Sequence, residues 1–237
     1  NGKRSVPLVV RTPMGGRRGY GPTHSQSLEK HFMGVPGLWL LAPHYMGDPG
    51  LLLKKAVLEC DDPVLFIESK TCYSKVLSGP PEDMVAHVYT TEDEPFPTIR
   101  LCHADAKDGP DAILLCYGGM LGLCLEAVQS LKAREELLID LVVPTQLSPV
   151  PVAHLRIILD EYCPSTIAYA EEAGLSFGWS AEMVARIEEM KEDLETAPEI
   201  SHCRIGASDS VIAASRNLEN RILPQAEDVF EALLNCF

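Results

Sequence analysis

Short apolar runs, each closed by a proline or glycine and separated from the next by a helix-patterned stretch, constrain this chain more than any other feature. VPLVV (6–10), GLWLLAP (37–43) and the run at 64–68 within DDPVLFIESK read as buried strands, since apolar and β-branched residues crowd a few positions beside a breaker. Asp48-Pro49 opens a helix through LLLKKAVLE, with the proline in the first turn, where its missing N–H removes no bond. Ser25 to Phe32 predicts a further helix, with Ser25 or Ser27 as its N-cap. Strand and helix alternating at this spacing make a parallel α/β sheet.

The second half repeats the alternation. AILLCYGG (112–119), LLIDLVVP (137–144), STIAYAEE (165–172) and CRIGA (203–207) are the strands. Met120 to Leu131 places Met120, Leu123, Cys124, Ala127, Val128 and Leu131 on one helical face. VPVAHLRIILDEY is the next helix. Ser180 caps another, carrying Met183, Val184, Ile187, Met190 and Leu194. Pro224 opens the last, with Val229, Phe230, Leu233 and Leu234 inward. Four strands with intervening helices predict a small doubly wound domain. Residues 74–110 differ, being rich in Pro, Gly and acids, and read as a connection with a strand or two of its own. The expected organisation is therefore 1–75, a linker at 76–110, and 111–237.

The 237 residues are 46% apolar and 23% charged, enough for one large domain or two ordinary ones. No run approaches the roughly 20 apolar residues a membrane helix needs. NGKRSVPLVVRTP does not read as a signal peptide, and the missing initiator methionine suggests a start inside a longer protein. The eight cysteines form no CxxC and no zinc-finger spacing, so reduced thiols in a cytosolic protein are expected. A net charge of −14 argues against nucleic acid as a partner. Residues 1–80 hold ten Lys and Arg against six Asp and Glu, and residues 81–237 ten against twenty-eight. Lys3, Arg4, Arg11, Arg17 and Arg18 all precede the first acid, Glu29. They are either a solvated face or a positive rim near an anionic ligand.

No GxGxxG, Walker A loop, G-x-S-x-G elbow or HExxH is present. Gly15-Gly16 and Gly118-Gly119 are isolated pairs. The second follows a strand and opens a helix, so it is a tight turn or an anion cradle. Of the histidines, His31 and His154 fall in helices, and His44, His87, His103 and His202 have no obvious partner. His24 stands apart in GYGPTHSQSLEKHF (19–32), after flexible glycines and beside Ser25 and Gln26. An imidazole is the side chain best suited to proton transfer near neutral pH. The stretch is a plain turn and cap or an active-site loop.

The order HSQ (24–26), PGL (36–38), AP (42–43), a GLL–KxA helix and DDPV–F–E (61–68) resembles the beta subunit of the thiamine-dependent first component of 2-oxo acid dehydrogenases. The resemblance extends through PLVVRTPMGG, DAILLCYGGM, IDLVVPTQLSPV, FGWSAEMVARI and LENRILPQAEDVFEAL, nearly the whole chain. It implies the carboxyl-terminal half of a pyrimidine-type thiamine domain, with a parallel sheet, followed by a transketolase C-terminal domain. It implies thiamine diphosphate with Mg2+ shared with an alpha subunit or a missing amino-terminal segment. It also implies a dimer or heterotetramer docked on a lipoyl acyltransferase core, in the cytoplasm or a mitochondrial matrix. His24 would then be the acid/base or acyl-transfer group of the channel, oriented by Gln26 and Ser25. A family potassium site would fall on Leu8, Ala56, Val57 and Asp62.

Three departures stand against it. The half-domain that supplies the family's cofactor-activating glutamate is not expected within these residues, and none of them would replace that glutamate by position. AYAEEAGLSFGWSAE has Glu171 and Glu172 but not the family's histidine. Cys60 stands where an acid is common. The expectation is oxidative decarboxylation and acyl transfer that needs a partner; the alternatives are a non-catalytic assembly module or a transketolase-like ketol transferase.

Overall fold

A computed structural model describes residues 5–106, 109–191 and 199–237. Of the expectations above, Lys3, Arg4 and Leu194 lie outside them. Strands β1 (Val9–Met14), β2 (Trp39–Leu41) and β3 (Val64–Ser69) form a parallel sheet in the order β1-β3-β2, with α1 (Pro49–Glu59) between β2 and β3. The first strand starts three residues later than its apolar run and continues through Pro13. That is tolerated because β1 lies at the edge of the sheet, where a missing N–H breaks no ladder. Asp48 Oδ1 accepts the Leu51 N–H at 2.8 Å and caps α1. Asp48→Ala is expected to lower stability by about 1 kcal/mol, as measured by urea unfolding.

The second sheet holds six strands rather than four: β4 (Met84–Tyr89), β5 (Thr98–His103), β6 (Ala112–Cys116), β7 (Ile139–Pro144), β9 (Thr166–Gly174) and β10 (Ser201–Ala207). Their order is β10-β9-β6-β7-β5-β4, with β5 and β4 antiparallel. Two strands of the acidic stretch thus extend the second sheet. Conversely, β8 (Gln146–Ser148) leaves the second half and pairs antiparallel with β2, so the two sheets share chain in both directions.

Helices α2 (Leu121–Glu135) and α6 (Ala226–Leu234) cover one face of the second sheet; α3 (Val152–Glu161) and α4 (Trp179–Lys191) cover the other. Strand alternation sorts the residues: Ala112, Leu114 and Cys116 face α2, while Ile113, Leu115 and Tyr117 face α3 and α4. The latter core also takes Met14, Leu40, Ile67 and Leu147, which fuses the first sheet to the second. α5 (Arg216–Ile222) has no counterpart in the sequence reading. All eight cysteines are free thiols. Among the described residues no helix is long and apolar enough to cross a membrane.

Two helix expectations fail. Ser25 to Phe32 forms only a 3-10 turn at Glu29–His31, and neither Ser25 nor Ser27 caps it. Ser27 instead bonds across to Glu172 at 3.3 Å and Glu29 is drawn into the interior, so tertiary contacts override the local pattern. Ser180 lies inside α4, whose first N–H groups are taken by Glu171 of β9.

Candidate functional site

The carboxyl ends of β1, β3 and β2 deliver three segments to one edge: the loop 15–28, Lys70 to Tyr73, and Ala42 to Tyr45. Ligands of open α/β sheets bind at such an edge. The loop is held from outside its own sheet. Glu172, at the end of β9 and buried, accepts the Gly16 N–H at 2.7 Å and the Arg17 Nε–H at 3.2 Å. Glu219 of α5, also buried, accepts the N–H groups of Arg17 and Gly19 at 3.0 and 2.9 Å. Arg17 further donates to Gln225 Oε1 at 3.3 Å and to the Pro224 carbonyl at 2.5 Å.

This explains the glycine pair. Gly15 has φ +88°, and a Cβ there would sit 2.7 Å from Glu172 Oε1, so only glycine admits the acid. Gly118-Gly119 makes the turn from β6 into α2, and a Cβ on Gly119 would fall 2.2 Å from Ser69 Oγ, so the end of β3 packs directly on that glycine. The expected basic rim is committed internally: Arg11 pairs with Glu68 at 2.6 Å, Arg17 with Glu172, and Arg18 donates to the Lys70 carbonyl at 2.8 Å.

His24, Ser25 and Gln26 share one loop but not one network. His24 is exposed, and among the described residues its side chain bonds to neither neighbour. Gln26 donates back to the Pro22 carbonyl at 2.6 Å. Ser25 is fully buried and its hydroxyl has no partner among the described residues. What grips His24 is Lys70, whose Nζ donates to its main-chain carbonyl. Beside the loop, a cleft of about 720 Å³ runs between Gln26, Lys30, His31 and the ends of β9 and β10.

Leu8, Ala56, Val57 and Asp62 lie at the opposite, amino edge of the first sheet, and the Leu8 carbonyl already accepts the Val64 N–H at 2.8 Å. Among the described residues no group of three or more His, Cys, Asp or Glu is gathered to hold a metal.

Sequence reasoning missed several buried polar groups. Glu29, 2% exposed, accepts the Tyr117 hydroxyl at 2.5 Å on one oxygen and has no partner for the other. Desolvation, opposed by that hydrogen bond and reinforced by Glu171 and Glu172, raises its pKa to about 7. His44, also 2% exposed, has neither ring nitrogen bonded, and burial lowers its pKa to about 4. Two histidines read as unpartnered have partners: His202 bonds Tyr169 and Glu188, both at 2.8 Å, and His103 meets Lys132 at 3.4 Å. No local signal distinguishes these side chains, since their neighbours lie far away in sequence.

Two fused, mainly parallel sheets with a loop presented at their carboxyl edge make a transketolase-like α/β fold. A split-gene transketolase, as an inactive beta4 tetramer, superposes with a TM-score of 0.64 over 98% of this chain and 67% of its own, at 19% identity. In sequence the chain is 28% identical over 231 residues to the pyruvate dehydrogenase E1 component subunit beta-1, mitochondrial, of Arabidopsis thaliana. It is 31% identical over 236 residues to the acetoin:2,6-dichlorophenolindophenol oxidoreductase subunit beta of Bacillus subtilis (strain 168). Each match covers 98% of this chain, and the chain spans 60% and 63% of those relatives' lengths. No protein-family model matches. Over nearly its whole length the chain is similar in sequence to these beta subunits.

Proposed function

We propose that the chain is the beta-type part of a thiamine-dependent 2-oxo acid dehydrogenase, with His24 serving a site that a partner completes. Residues 1–75 are the carboxyl-terminal half of a pyrimidine-type domain, 76–110 the strand-bearing connection, and 111–237 a transketolase-type C-terminal domain. The observation that carries this reading is the exposure of His24 at the carboxyl edge of a parallel sheet, on a loop anchored by buried acids. The residues present do not fit the whole cofactor. No acid cluster for Mg2+ is gathered among the described residues. The diphosphate cradle, Mg2+ and the activating acid belong to an alpha-type subunit or a preceding segment, in a dimer or heterotetramer. A K+ at Leu8, Ala56, Val57 and Asp62 and docking on a lipoyl acyltransferase core belong to the same proposal, as does a cytoplasmic or mitochondrial-matrix setting.

Bound thiamine diphosphate would supply the carbanion chemistry of decarboxylation. This chain's part would be His24, holding or moving a proton at its ring nitrogen where negative charge develops and where a lipoyl disulfide, reduced as it opens, accepts the acyl group on one sulfur and a proton on the other. Ser25 and Gln26 shape the loop rather than bond the imidazole.

Titration calorimetry of the isolated chain with thiamine diphosphate and Mg2+ is expected to give no stoichiometric binding; tight one-to-one binding would overturn the need for a partner. In a reconstituted complex, His24→Ala is expected to lower acyl transfer on the order of 10²-fold with assembly intact. An unchanged rate favours the assembly module instead. One observation favours that module: Glu171 and Glu172, the acids at the family's histidine-glutamate position, are taken up by capping α4 and anchoring the loop. Activity without a lipoyl acceptor on a ketose donor would indicate ketol transfer.

A further inference from the structure

Lys70 touches the loop between β1 and His24 at its start, middle and tip. Its N–H donates to the Met14 carbonyl at 3.1 Å, continuing the β1–β3 pairing by one residue. Its carbonyl accepts the Arg18 guanidinium at 2.8 Å. Its ammonium donates to the carbonyl of His24 itself. The other bonds at the tip are local: Ser25 N–H to the Gly21 carbonyl at 3.0 Å, and Gln26 to the Pro22 carbonyl. These close the turn, and burial of Ser25 seats its base, while His24 at the tip stays exposed. Among the described residues, Lys70 is the only partner from beyond the loop that bonds residues 22–25.

We infer that Lys70 is a positioning residue, which sets the place of the His24 imidazole by holding its backbone. The inference rests on the reading of His24 as the active imidazole, though the hold itself does not. A charged donor suits the task, because a hydrogen bond from an ionised group to a carbonyl is roughly twice as strong as a neutral one. Lys70 is half-buried: desolvation, with Arg18 adding to it, lowers the ammonium's pKa, and the negative charges of Glu172 and Glu219 oppose that lowering. The side chain reaches His24 from a rigid strand end, while the imidazole remains free to meet a ligand.

Lys70→Met deletes the ammonium and keeps the aliphatic stem and both backbone contacts, so the loop's start and middle stay attached. Lys70→Arg retains a charged donor. In amide exchange on the full chain, peptides covering residues 21–26 are expected to exchange at least about 10-fold faster in Lys70→Met, with global unfolding unchanged and near-normal protection in Lys70→Arg. Unaltered exchange at 21–26 would overturn the hold. In the reconstituted complex, Lys70→Met is expected to lower kcat with little change in KM for the 2-oxo acid, and Lys70→Arg to restore it. If His24→Ala loses activity while Lys70→Met, with its loop released, keeps it, positioning for catalysis is overturned. If His24→Ala is also silent, the active-site reading of His24 fails, and faster exchange still supports Lys70 as the loop's anchor.

Discussion

Arg17→Met is expected to lower folding stability by about 3 kcal/mol, because it breaks the ion pair of a buried carboxylate. The guanidinium is only 15% exposed and Glu172 6%. Without it, Glu172 keeps the Gly16 N–H and the Ser27 hydroxyl but loses its salt bridge, with the charge of Lys70 still acting on it. The same change removes bonds to Gln225 and the Pro224 carbonyl, so the loop loses its tie to the entry of α6. Arg17 also has φ +68°, a left-handed conformation held only because Glu172 and Glu219 grip it from two sides. Urea unfolding measures the loss, and a difference below about 1 kcal/mol would contradict a buried pair. Adding Glu172→Gln to Arg17→Met is expected to recover part of it, since a neutral amide needs no counter-charge. A double-mutant cycle isolates that coupling.

Stability is expected to be highest between about pH 4.5 and 6.5, from two groups of opposite sign. Glu29 has its pKa raised from 4.5 to about 7, so it holds its proton longer folded than unfolded. Its contribution is complete below pH 4.5 and is lost as pH rises through about 7. His44 has its pKa lowered from 6.5 to about 4. Its contribution is complete above pH 6.5 and is lost as pH falls through about 4. Each group contributes about 3 kcal/mol at full extent, but the two changes cancel between about pH 4.5 and 6.5, so the fall on either side of that plateau is below about 1 kcal/mol. Glu29→Gln keeps an oxygen for the Tyr117 hydroxyl and cannot ionise. Unfolding from pH 5 to 8 is therefore expected to show the variant overtaking the native chain on the alkaline side. Parallel curves for the two proteins would remove Glu29 as the cause. His44→Phe is expected to flatten the acid limb in the same way.

Both predictions concern acids and bases whose importance sequence patterning did not reveal. Glu29 stood out only as the first acid after five basic residues, and that position says nothing of burial. Glu171 and Glu172 were read as a departure at a family motif. Alternation along β9 sends the first to cap α4 and the second toward the loop, one structural task on each face. Gly15-Gly16 was an isolated pair until Glu172 was seen where a Cβ would stand. The six-stranded sheet was under-read for a similar reason. β4 and β5 sit in a Pro-, Gly- and acid-rich stretch, and only pairing with β7 makes strands of them.

From the sequence by itself came the α/β class, the strands at 112–119, 137–144, 165–172 and 203–207, the capped helix after Asp48, and the kinship carried by HSQ through DDPV. Those are local signals, written in periodicity, breakers and residue order, and they need no knowledge of distant contacts. Tertiary structure alone decided that Ser25 to Phe32 is not an α-helix and that β8 crosses to the first sheet. It also decided that the His24 loop hangs from Glu172, Glu219 and Lys70, which lie between 46 and 202 residues away from their partners in the chain. Burial and hydrogen bonding at such separations depend on how the sheets pack, and no window of neighbouring residues contains that information.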